Sequence, residues 1–131
     1  MKRVRVFIEL GEDGTYGAYM PDDNNLSFGA IGEGKTVEEA KQDFLNVIED
    51  YRADGEVPAG IVFDFSYDVP SFLSFYSKKL SLAGLERITG VSQGQLSHYL
   101  TGRRHPSHKT VERIQNALQA FGTELSHVNF V

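Results

Sequence analysis

With 131 residues, 40% of them hydrophobic and 24% charged, the chain has room for one globular domain or two small ones. It has no cysteine, which excludes disulfides and thiolate metal sites, and no apolar run approaches the roughly 18 residues of a membrane span. The net charge of −5 conceals an asymmetry: residues 1–67 carry 6 Lys+Arg against 14 Asp+Glu (−8), whereas residues 68–131 carry 7 against 4 (+3) and hold all four histidines. A basic half can meet phosphate, and an acidic half repels it, so two jobs are expected, divided near Asp68-Val69-Pro70. Met1-Lys2-Arg3-Val4 leads into a strand pattern and not a signal peptide, and a cytoplasmic location is expected.

In chain order, Val4, Val6, Ile8 and Leu10 alternate with Arg3, Arg5, Phe7 and Glu9, the period of a half-buried strand. Gly11-Glu12-Asp13-Gly14 reads as a turn, residues 15–20 as a second, tyrosine-rich strand, and residues 21–25 as a polar loop. Residues 26–33 are expected to form a third strand, loosened by Gly29 and Gly32. Thr36-Val37-Glu38-Glu39 has the form of a capping box and opens a helix with Val37, Ala40, Phe44, Val47, Ile48 and Tyr51 as its apolar stripe. Asp54-Gly55 ends that helix, and residues 61–67 return as a strand beside one of the first three. The predicted domain, residues 1–68, is thus β-β-β-α-β, a small sheet carrying one helix.

From Pro70 a helix with Phe72, Leu73 and Tyr76 on one face opens an all-α bundle over residues 69–131, making the whole chain α+β. Two short amphipathic helices then meet at Thr89-Gly90-Val91. Gly90 suits the left-handed conformation that ends the first, and Ser92 with Gln95 forms a capping box for the second. In that second helix Leu96, Tyr99 and Leu100 fall on one side. Gln93, Gly94, Ser97, His98 and Thr101 fall on the other, a face without acids that fits a major groove. Gly102 closes the helix, and Arg103, Arg104, His105 and Lys109 flank Pro106-Ser107. Ser107 caps a last helix with Val111, Ile114, Leu118 and Phe121 inward, expected to end at Gly122-Thr123-Glu124-Leu125, with residues 128–131 as a tail or a packing strand.

Residues 81–121 resemble the helix-turn-helix of the phage-repressor (Cro/C1, Xre) type. Gly90 stands at the turn glycine, Leu85, Val91, Leu96 and Tyr99 at apolar positions, and Thr101-Gly102-Arg103-Arg104-His105-Pro106-Ser107 at the loop before the fourth helix. Glu86 departs from the pattern, where a small residue is usual. Thr89 departs where an apolar one is usual, and Ile88 is expected to supply the missing contact. The N-terminal half resembles the HicB antitoxin domain, a reduced ribonuclease-H-like fold. Thr15-Tyr16-Gly17-Ala18-Tyr19-Met20-Pro21-Asp22 and Gly34-Lys35-Thr36-Val37-Glu38-Glu39-Ala40 carry that likeness, and Asp23-Asn24-Asn25-Leu26 departs from it.

On these readings Gln93, Gly94, Gln95, Ser97 and His98 are candidates for base edges, and Gln and Ser are types that hydrogen-bond bases. Ser92, Thr101, Arg103, Arg104, His105 and Lys109 are candidates for phosphate, with His108 a lesser one. The HicB resemblance implies a domain without catalysis that neutralises a small, basic, mRNA-cleaving HicA-type toxin. Glu12, Asp13, Tyr16, Tyr19, Asp22 and Asp23 are candidates for its surface. The expected partners are operator DNA, that toxin and at least a second copy of the chain; no membrane, cofactor, metal or catalytic residue is expected. The alternative is a free-standing regulator whose N-terminal domain binds a different protein or a small ligand.

Overall fold

The computed structural model describes residues 2–21, 24 and 26–131. They form two compact units, one ending at Ser71 and one beginning at Phe72. The first contains β1 (Lys2–Leu10), β2 (Tyr16–Tyr19), β3 (Ile31–Gly34), α1 (Val37–Ala53) and β4 (Ile61–Tyr67). The sheet order is β3-β2-β1-β4, antiparallel except for β4, which runs parallel to β1. A parallel neighbour cannot be reached by a hairpin, and α1 provides the crossover. The alternation read in β1 holds: Val4, Val6 and Ile8 are buried with Tyr16 and Ala18 of β2, under Val37, Ala40, Phe44 and Ile48 of α1. Phe44 also sets its ring edge-on to Phe63 at 5.4 Å and to Phe65 at 6.0 Å. Leu10, the last member of the alternating set, is exposed at the end of the strand.

The third strand is shorter than its sequence pattern. Only Ile31–Gly34 pairs with β2, because Phe28 leaves the sheet to stack on Tyr51 of α1 at 4.6 Å. Before the strand, Asn24 donates to the Pro21 carbonyl and accepts from the Leu26 amide. Gly32 has a role other than loosening. A Cβ there would overlap the backbone of Ala40 and Phe44, and one at Gly34 would overlap Glu39 and Ala40. The two glycines let α1 lie directly on the backbone of β3.

Thr36 caps α1 as expected, accepting from the Glu39 amide at 3.1 Å. The Glu39 carboxylate reaches back to the Lys35 amide at 2.8 Å, one residue earlier than in a reciprocal capping box. Asp43 takes the Glu33 amide at 2.8 Å and so covers part of the β3 edge.

The second unit is helical. α2 (Val69–Tyr76) spans the division, and α3 (Leu82–Thr89), α4 (Gln93–Leu100) and α5 (His108–Ser126) follow. Leu73, Leu85, Thr89, Val91, Leu96, Tyr99 and Ile114 form its core. α5 runs past the expected stop at Gly122. That glycine does not adopt positive φ, and the helix ends at Ser126, whose hydroxyl donates to the Thr123 carbonyl at 2.7 Å. Residues 128–131 belong to no helix or strand.

Gly32→Ala is expected to cost about 3 kcal/mol in urea unfolding, since neither backbone at the contact can retreat. Gly122→Ala, whose added methyl meets open space within a helix, is expected to add about 1 kcal/mol.

Candidate nucleic-acid interface

The interface is built on the turn between α3 and α4. Ser81 caps α3, accepting from the Gly84 amide at 3.0 Å. Thr89, at the position where an apolar residue was expected, is 4% exposed and fully bonded. Its hydroxyl donates to the Leu85 carbonyl at 2.7 Å and accepts from the Val91 amide at 3.1 Å. Thr89 itself is therefore the core contact, and Ile88 is only half-buried. Gly90 has φ +73°, which only glycine adopts cheaply, and its carbonyl accepts from Arg113 Nη2 at 3.2 Å. Val91 is buried between the two helices.

The second departure, Glu86, also has a local use. Its carboxylate accepts from the Gln93 amide at 2.6 Å, while Ser92 Oγ accepts from the Gln95 amide at 3.2 Å. Two of the four unpaired amides at the start of α4 are thus satisfied, one of them by a negative charge at the positive end of the helix. The reciprocal half of the expected capping box is missing. Gln95 Oε1 is buried and has no hydrogen-bond partner among the described residues, and the same is true of His98 Nδ1. Both residues are half-buried, and the polar atoms not closed off in this way are the Gln95 amide nitrogen and His98 Nε2.

The remaining base-edge candidates are open to different degrees. Gln93 and Gly94 are exposed and Ser97 is half-buried, on the flank away from buried Leu96 and Tyr99. A Cβ at Gly94 would meet nothing within 4 Å. The packing of the chain does not need a glycine there, whereas a closely approaching backbone would.

Among the phosphate candidates, Ser92 uses its oxygen as the cap and keeps its proton to donate. The Thr101 hydroxyl is directed at the Ser97 and His98 carbonyls at 3.2 and 3.3 Å, and the residue is exposed. Gly102, with φ +76°, turns the chain, and the Gly102 and Arg104 amides return to the Tyr99 and His98 carbonyls. Arg103, Arg104, His105 and Lys109 emerge exposed, with no ion pair among the described residues. His108 is drawn back by Glu112, at 3.0 Å from Nε2. α4 holds eight residues, so the open start and the basic loop lie about 12 Å apart along its axis.

In the first unit the candidate partner surface divides. Glu12 and Asp13 are exposed in the β1–β2 turn. Asp13 accepts from the Thr15 hydroxyl and amide, which hold its carboxyl below the usual range. Tyr16 is 7% exposed and belongs to the core, because the register that pairs it with Leu10 turns it toward α1. Tyr19 has the opposite parity and stands on the face away from the helix. Its hydroxyl donates to Glu9 Oε1 at 2.6 Å, and this bond, with burial, pushes the phenol up to about 12. Phe7 meets it edge-on at 5.7 Å, and Ile31, paired with it on β3, is 67% exposed. Phe7, Glu9 and Ile31 were not singled out in the sequence; the period-two parity of β1 carried the signal for the first two. Asp22 and Asp23 lie outside the described residues.

Among the described residues no three His, Asp or Glu side chains are grouped to hold a metal ion, and no helix is long and apolar enough to cross a membrane. No curated protein and no solved structure matches the chain. Residues 71–128 match the family model described as a helix-turn-helix domain, consistent with the helices of the C-terminal unit.

Proposed function

We propose that the chain is a cytoplasmic transcriptional repressor that reads operator DNA with α4 and is also the antitoxin of a small basic toxin. One observation carries the DNA reading: α4, whose own first turn contains no acid, leads directly into a loop that exposes the cations Arg103, Arg104 and Lys109. Two exposed acids of this unit have local partners, Glu86 in the Gln93 amide and Glu112 in His108, and among the described residues neither is paired with the loop cations. The loop supplies charge, and Gln93 and Ser97 supply base-edge groups.

For the first unit the antitoxin reading rests on the HicB resemblance, and the β-β-β-α-β order with β4 parallel to β1 supports it. So does the charge of −8 over residues 1–67, which complements a basic partner. The strip of Phe7, Tyr19 and Ile31 across three strands, bordered by Glu9 and Glu33 and by Arg5 over the Phe7 ring at 5.7 Å, offers such a partner apolar contact. No group in the chain is assigned a catalytic role.

Arg103→Ala combined with Arg104→Ala is expected to weaken binding to all duplexes alike. It should also flatten the slope of log K against log salt by about two. A slope that does not change would overturn the phosphate assignment. When the chain is expressed from its native operon, a small basic protein is expected to co-elute in fixed ratio and to be lost with Tyr19→Lys. Elution of the chain alone would contradict the antitoxin half of the reading.

A further inference from the structure

α5 extends beyond the bundle that it closes. Of its 19 residues only Ile114 is fully buried, and Leu125, on the last turn of the inward stripe, is 54% exposed. Val128, just beyond the helix, is 51% exposed. Beside this distal half, Ile88 of α3 joins Ala117, Ala120 and Phe121 of α5 to line a shallow groove of about 460 Å³. Its remaining walls are two opposite charges, Arg87 from α3 and Glu124 from α5. Both are exposed, and among the described residues neither side chain has an ion pair or hydrogen bond.

We propose that this groove is a two-fold interface with a second copy of the chain, in which the distal halves of α5 pack together and Arg87 of each copy meets Glu124 of the other. A two-fold contact presents the same patch from both sides, so the patch must complement itself. This one does. Its apolar strip meets an equal strip, and its two unpaired charges have opposite sign, so crossing them pairs both at once. A surface made for a uniformly acidic or basic partner has no need of one charge of each sign. The contact deepens the DNA-binding reading and rests on it for its purpose, since paired helix-turn-helix modules read half-sites about 34 Å apart while a single module binds weakly.

The test is sedimentation of the full chain over a dilution series, with Arg87→Glu, Glu124→Arg and the double variant beside the natural sequence. Both positions are exposed, so folding is not at issue. The natural chain is expected to dimerise, and each single reversal to raise the dimer dissociation constant at least about tenfold through two like-charge contacts. The double variant restores the pairing with its signs exchanged and should return within about threefold of the natural chain. A monomer at every concentration, or a dimer indifferent to all three variants, overturns the proposal. Duplex binding measured on the same samples separates the two readings. A dimer that binds no DNA would defeat the regulator and leave the interface, and a monomer that binds one half-site would do the reverse.

Discussion

α3 and α4 hold eight residues each, below the length at which an isolated helix is stable, so α4 stands in place only because the turn before it is fixed. Gly90 reverses the chain at positive φ, Thr89 satisfies a carbonyl before the turn and an amide after it, and Val91 fills the angle. Glu86 then ties the first amide of α4 to α3 across seven residues. Loss of any of these ties would leave the side chains of α4 intact and their direction undefined. The rigidity of the candidate DNA surface is therefore a property of four residues that do not belong to it.

The two units differ in how many acids they carry. In the helical unit Glu86 accepts from an α4 amide and Glu112 pairs with His108, both at the surface, and among the described residues neither is paired with a loop cation. In the sheet unit some acids serve locally, Asp13 in its turn, Glu39 at a cap and Asp43 at the β3 edge, yet all remain at the surface. Charge sign thus separates the surfaces proposed for DNA and for a basic protein, and one chain can hold both without mutual interference.

Much of this was legible in the residues. Alternation gave β1 and the face it buries, β4 lies at residues 61–67 as read, and Thr36, Ser92 and Ser107 each cap the helix their sequence announced. The misses share a cause: they depend on what lies opposite in space. Gly32 looks like a weak point in a strand until α1 is laid on it, and Gly122 looks like a stop although the helix needs no left-handed residue there. Tyr16 and Tyr19 are alike in sequence, and only the register with β1 sends one inward and the other out. Gln95 had the right spacing for a reciprocal cap, but its oxygen is buried without a partner, and the bond from Glu86 that helps to cap α4 spans too many residues for any local motif.

The most direct measurement is a selection of duplexes from a randomised pool by the full chain, followed by affinities at one fixed salt concentration. Sequence-specific reading by α4 is expected to enrich one recurrent site. The chain should bind that site at least about a thousandfold more tightly than unrelated DNA, with the preference lost in Gln93→Ala. A pool that stays random, bound uniformly and only through salt-sensitive contacts, would contradict sequence-specific recognition by this chain.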